Sequence, residues 1–443
     1  MSRVAPARIV FRELGPSMLN SRKRICRREF LRCTGRVTSG LVGAGALVSC
    51  RYAVGQDRSP SGPARYASDV GAIRVERQPT GSEIWQVTTE EFRQSNIYCE
   101  VSYCSGDSRY FIYERRRPKQ PGDNKTELMV VELGTWRQHR LDVATGIVGA
   151  AISPDGVFYY LKRADRDTLN LMRADLSTGT PQRIYNLEGK RALVSLGTVS
   201  ADARYYACGE RLAEDYRAFG ILLVDLEKGT QKIVDWDPFI FNPHPQFEPG
   251  EGRVLMIQHN RGGRYTPQGK RISLVGPQGA TLYLLSVPDG KRTTLQVGKP
   301  HTTPVTGHEA WIGKTEEILL TVSAREDYVP LKGNLLAVRA GSAARVVAKG
   351  YRFNHVGVSR CGRFFCCDDW QETYKLVIGS IRTGKTAVVC ESKTSPGDAQ
   401  NTHPHAYLTP DLKWVIFNSN RSDFPHIHAA SVPEGTIEEL SKD

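Results

Sequence analysis

The chain has 443 residues, 24% of them charged and 40% hydrophobic, and a formal net charge of +13. Its first 50 residues hold ten Lys and Arg against two acidic residues, so they carry +8 and leave +5 for the rest. That remainder gives no electrostatic footprint for nucleic acid and suits a small polyanionic ligand.

The N-terminal segment reads as a targeting signal. Arg22, Lys23 and Arg24 lead into Arg27-Arg28-Glu29-Phe30-Leu31-Arg32, and an uncharged Gly/Ala/Val-rich stretch runs from Val37 to Ser49. The pattern resembles a twin-arginine export signal, and the stretch is too short to span a bilayer, which takes about 20 apolar residues. Two cleavage points fit it. Leu47-Val48-Ser49-Cys50 resembles a lipobox that would leave Cys50 as a lipid anchor, and Ala53-Val54-Gly55 before Gln56 is a small-x-small site. The expected location is the periplasm, or the membrane facing it. Residues 1–55 are assigned to this segment and 56–83, rich in Ser, Pro, Gly and Arg, to a linker. Seven cysteines lie beyond Cys50 with no regular spacing, so no disulfide framework is expected.

Residues 84–443 are governed by an internal repeat. Segments of one type begin at Glu100, Gly149, Leu196, His244, His308, His355 and His405, at intervals of 49, 47, 48, 64, 47 and 50 residues. Each joins two apolar strands through a turn, as in GAAISPDGVFYYLKR, and each is followed by a second strand pair, as in LYLLSVPDGKRTTL. Four strands per unit at this period predict a seven-bladed, all-β propeller of antiparallel blades. The long interval contains an insertion in the fourth blade. The strand at Ile84–Thr89 is left over to close the ring, and the last unit is read as ending in its own fourth strand at the C-terminus.

Equivalent steps of successive blades are neighbours around one axis. Glu100, Gly149, Leu196, His244, His308, His355 and His405 therefore meet at one end of the central channel. Clustered buried imidazoles need partners, and a divalent cation binds them neutral. Gln400, His403 and His405 lie within six residues. Alternate residues of a regular strand face opposite ways, so this segment is expected to bend. His308 would complete three imidazoles and one amide oxygen, a set that accepts zinc, iron, copper or manganese. His244 is the spare imidazole for acid–base work. His355 supports the ligands or touches substrate. His259, Arg261 and Arg264 follow one another near the mouth, where arginines suit carboxylates. His139, His301, His426 and His428 fall outside the column and are expected at the surface. No G-x-S-x-G elbow, P-loop or dinucleotide fingerprint occurs.

The run QNTHPHAYLTPDLKWVIFNSNRS resembles a segment of the oligogalacturonate lyase family, pectin-degrading seven-bladed propellers, and HPQF, QHNRGG, GHEAW and NHVGVSRCG match in order. The resemblance implies manganese held by His308, Gln400, His403 and His405. It makes His244 the Brønsted base in β-elimination of short α-1,4-galacturonates. It also calls for an arginine near Phe219–Val224, where Arg217 is the nearby candidate. His259, His355 and Arg261 are expected from their positions as further substrate contacts. The expected partner is a small anionic oligosaccharide, and the chain is expected to work as a monomer. The export signal departs from cytoplasmic members of the family. The contrasting reading is a non-catalytic envelope propeller of the TolB-like kind that binds a protein or carbohydrate.

Overall fold

The computed structural model describes residues 71–116, 125–145, 148–165, 167–189, 191–371, 374–395 and 400–443. The expected export segment, Cys50 and most of the expected linker lie outside them. The described chain forms the seven antiparallel blades that the repeat predicts. Blades 2 to 6 are sequential four-stranded meanders. Blade 2, for example, runs Val148–Ile152, Val157–Arg163, Leu169–Asp175 and Gln182–Leu187. The turns that join strands hold glycines with positive φ, such as Gly156 and Gly384. The blade-4 insertion forms a separate small hairpin, Arg264–Tyr265 with Arg271–Ser273. Its Tyr265 stacks on Tyr216 at 5.4 Å and meets Phe241 edge-on at 5.0 Å.

Blade 7 closes the ring, and here two expectations change. Three of its strands are C-terminal: Tyr407–Leu408, Trp414–Ser422 and Phe424–Ser431. The fourth comes from Glu83–Gln86, with Ile84 opposite Ala430. A fifth strand, Ile73–Arg77, pairs outside it and precedes the expected start of the propeller. The C-terminal residues are therefore not a strand. With the outer edge already occupied, the chain turns at Gly435 into a short helix, Thr436–Ser441. Its buried Leu440 packs in the cluster of Ile378, Val389 and Cys390.

Blades stack face to face through apolar clusters. At the closure Trp85 of the N-terminal strand lies 5.7 Å from Trp136 of blade 1, which meets Trp414 at 5.1 Å. The N-terminal strand thus bonds to the C-terminal blade and packs on the first one. Six of the seven described cysteines are buried and Cys361 is exposed, none of them paired. Four of the histidines outside the column divide differently from expectation. His301 is exposed, but His139, His426 and His428 are buried. The pairing of Phe417 with His428 and of Ser419 with His426 turns the latter two into the packed interior of blade 7.

Ile84 is fully buried at the closing strand. Ile84→Ala should cost about 2–5 kcal/mol by the usual penalty for a core truncation, read by denaturant unfolding. A loss below about 0.5 kcal/mol, the scale of surface changes, would mean that this strand does not hold the ring shut.

Candidate metal centre

The innermost strand of a blade would ordinarily send alternate side chains into the two neighbouring interfaces. Here the innermost strands of blades 2, 3, 5 and 6 break register at the step the sequence singled out. The shift falls between Val148 and Ala151 in blade 2, Leu193 and Gly197 in blade 3, Val305 and Glu309 in blade 5, and Phe353 and Val356 in blade 6. Extra residues on one strand bend it and re-aim a side chain, in this case toward the axis. Blades 4 and 7 share a Pro-His version. The backbone N–H of Gln258 donates to Pro243 O at 2.7 Å and that of Asn418 to Pro404 O at 2.8 Å. The histidines that follow, His244 and His405, both adopt positive φ, at 42° and 41°. The segment holding His403 and His405 therefore bends as expected.

Blade 1 makes the largest excursion. Asn96 pairs with Tyr113 and Cys104 with Phe111, so the residues between, Tyr98 and Glu100 among them, leave the ladder and enter the channel. The opposing wall admits them because it carries glycine. A Cβ on Gly357 would meet Cys99 O at 2.1 Å. At Gly149 the same step is left without a side chain, and its carbonyl accepts the Tyr206 hydroxyl at 2.6 Å.

Ring-nitrogen positions of His355, His403 and His405 lie within 4.8 Å of one another, and all three residues are buried. His355 is fixed from behind by Asp368. Its backbone N–H donates to Oδ1 at 2.8 Å and its Nδ1–H to Oδ2 at 2.7 Å. That contact commits Nδ1 and leaves Nε2 as a donor atom, the carboxylate–imidazole support found behind metal ligands. Trp370 covers the trio, 5.2 Å from His355 and 4.8 Å from His403. The Nε2 of His405 is buried with no hydrogen-bond partner among the described residues. Burial, and then the neighbouring imidazoles, push His308 and His405 well below the usual imidazole range. Neutral, crowded imidazoles with an unsatisfied buried nitrogen fit a divalent transition metal.

This set differs in part from the expected one. His403 and His405 are in it as expected. His355, expected as a supporting or substrate residue, brings a ring nitrogen into the same convergent group. His308 stands beside the trio, its ring 4.2 Å from that of His355, with Nδ1 3.1 Å from the Thr306 hydroxyl. Gln400 is exposed in the turn that leads to His403. The column alone could not rank these residues, because rank depends on the bulge at Phe353–Val356 and on the buried Asp368.

His244 lies across the channel. Its Nδ1–H donates to Glu100 Oε1, and its Nε2 accepts from Asn242 Nδ2 at 2.9 Å. Burial opposes a charge on His244, but the Glu100 carboxylate outweighs it and holds the imidazole above its ordinary range. Tyr98 bridges the two groups, with its ring 5.5 Å from His244 and 4.6 Å from His405. Glu309 had no place in the sequence reading. It is fully buried, neither carboxyl oxygen has a hydrogen-bond partner among the described residues, and burial pushes its carboxyl up to about 8.

The expected substrate contacts are engaged elsewhere. His259 Nε2 lies 3.0 Å from Asp237, which also pairs with Arg292. Arg261 donates to the carbonyls of Gly279, Lys299 and Gln278, so it ties the insertion loop together. Arg217 is exposed and pairs with Asp215, and Arg264 is exposed on the insertion hairpin. A cavity of about 490 Å³ lies instead over blades 4 to 6, lined by Asn260, Thr306, Arg325, Arg352, Asn354 and Trp370 among others. It adjoins the trio through Trp370.

No family model matches the chain. A search of curated proteins finds an oligogalacturonate lyase of Dickeya dadantii, 22% identical over 386 residues that cover 80% of this chain and 94% of that protein. An oligogalacturonide lyase of Pectobacterium atrosepticum is 23% identical over 349 residues, covering 68% and 84%. Both curated matches carry the name of this lyase activity. Among solved structures, an oligogalacturonate lyase in complex with manganese aligns over 82% of this chain and 96% of its own, with a TM-score of 0.64 at 18% identity. An oligogalacturonate lyase from Vibrio parahaemolyticus gives 0.62 at 17%, covering 82% and 97%. These two share the propeller with this chain.

Asp368→Asn should keep the fold and lower metal affinity roughly 10–100-fold, as loss of a ligand's supporting carboxylate does. Competition with a chelating dye reads this directly. Unchanged affinity would remove His355 from the ligand set.

Proposed function

We propose that this protein is a metal-dependent lyase that cleaves short α-1,4-linked oligogalacturonates by β-elimination, leaving a 4,5-unsaturated product. One observation carries the reading: three buried imidazoles converge within 4.8 Å, on the other side of Tyr98 from a further imidazole, His244, that is joined to a carboxylate. Homologues named for this activity along most of the chain support it.

His355, His403 and His405 would hold the metal, with His308 adjacent and Gln400 added by resemblance. A bound divalent metal such as manganese would supply charge to the uronate carboxylate and so acidify the neighbouring C5 proton. The remaining work falls to side chains. The Nδ1 proton of His244 is committed to Glu100, so its Nε2 carries the lone pair that takes a proton. Asn242 holds that nitrogen's orientation until substrate arrives. Arg325 and Arg352 give the adjoining cavity positive charge for the other uronate carboxylates. Trp370 seals the trio from that side and offers a face to a sugar ring.

Incubation with manganese and trigalacturonate should raise ultraviolet absorbance from the unsaturated product. His244→Ala should lower kcat by about 10²–10⁴, the usual worth of a positioned general base, with metal content unchanged. Full activity in that variant would displace His244 from the role. A purified protein with neither metal nor turnover would favour the non-catalytic envelope propeller.

A further inference from the structure

The reading above leaves Glu100 unassigned, although it is the residue that reaches His244. We infer that Glu100 is a positioning residue for the base: from blade 1, across the channel, it fixes the proton on Nδ1 of His244 in blade 4 and steadies the imidazolium once Nε2 has gained the C5 proton. The inference rests on the reading of His244 as base.

Three observations carry it. Glu100 sits in the inward excursion of blade 1, 4% exposed, with His244 as its one hydrogen-bond partner among the described residues. Glu100 lies in the part of blade 1 outside the ladder, which ends at the Asn96–Tyr113 pair and resumes at the bridge between Cys104 and Phe111. The donors and acceptors around the ring also agree on one tautomer. Glu100 can only accept at Nδ1, and the Asn242 amide donates at Nε2. That arrangement leaves the lone pair on Nε2. Finally, Glu100 lines a cavity of about 180 Å³ at the turn end of the channel, together with Ser102, Thr198 and Gln246. Water can thus solvate the far side of the carboxylate without crossing the metal end.

The step balances without any co-reactant. Nε2 gains the C5 proton, and the C5–H electron pair becomes the C4–C5 double bond. The C4–O pair leaves with the departing sugar oxygen, which takes a proton from water, and Nε2 afterwards returns its proton to water. Glu100 stays hydrogen-bonded to Nδ1 throughout and meets the positive charge that His244 carries between the two transfers.

Other charged or titratable groups face His244. Glu309 of blade 5 adds to the Glu100 effect, a charge on His244 adds to the lowering of His308 and His405, and Tyr98 lies between His244 and His405. Glu100 is the one among them in hydrogen-bond contact. With its carboxylate the imidazole is held above its ordinary range, so the base is active only once pH has risen past that raised value. Removing the charge lowers the midpoint, and the acid limb of the rate profile must move to lower pH.

The test is ¹⁵N-histidine NMR of the metal-free full chain, titrated as wild type and as Glu100→Gln. Wild-type His244 should show a protonated Nδ1 and a titration midpoint above that of a free imidazole, and Glu100→Gln should bring the midpoint down. In the loaded enzyme Glu100→Gln should lower kcat roughly 10–100-fold, in the range of other supporting contacts, with KM nearly unchanged and the acid limb shifted down. Glu100→Ala should be rescued saturably by formate entering the vacated space. An unchanged midpoint, an Nε2–H tautomer or absence of rescue would overturn the assignment. Wild-type protein that binds metal but yields no unsaturated product would instead overturn the lyase reading, and the NMR titration would still decide whether Glu100 controls His244.

Discussion

Everything at the centre of this propeller depends on a break in strand register that recurs from blade to blade. A regular inner strand would bury its histidines between blades, where nothing could bind them. One to several extra residues per inner strand turn the same side chains to the axis instead. The price is a ladder with unpaired backbone at the ring's narrowest point. It is offset by side chains that bond to backbone there, as when Asn96 and Asn418 reach the carbonyls of His405 and His403. Closure matters for the same reason. The N-terminal strand completes blade 7 by pairing with Phe424–Ser431, two strands out from Tyr407–Leu408, which follows the segment that carries His403 and His405.

The electrostatics divide the channel into two compartments. On one side, imidazoles crowd together, and burial, then the neighbouring rings, push His308 and His405 well below the usual imidazole range. On the other, a carboxylate lifts His244 in the opposite direction. Groups of one chemical type, placed a few ångströms apart, are thereby prepared for different work: ligation at one end and proton transfer at the other. Tyr98, between them, is buried enough that its hydroxyl is pushed well above its ordinary range, so it separates the compartments without adding a charge.

The repeat, the blade count and the histidine column were legible in the sequence because each blade needs the same strand–turn–strand pattern. The Pro-His bend was legible from spacing, since two rings two residues apart cannot share one face of a straight strand. Other features were hidden for physical reasons. TIEEL closes the last repeat where a fourth strand would fall, but the sheet edge there is taken by Glu83–Gln86 and the segment is a helix. IRVER has a strand's alternation but almost no burial, so it merges into the charged segment before it. The role of His355 depends on Asp368, thirteen residues along and on the neighbouring strand. Glu309 follows His308 in sequence but turns into a fully buried position that no composition rule anticipates. The three backbone carbonyls to which the Arg261 guanidinium donates are likewise set by the loop conformation and leave no mark in the spacing.

The most direct test of this account is anomalous diffraction at the manganese edge from crystals of the protein soaked in that metal. The account predicts one strong peak among the imidazoles of His355, His403 and His405, with His244 and Glu100 still joined across the channel. A peak elsewhere, or an undisturbed imidazole cluster at saturating metal, would contradict it.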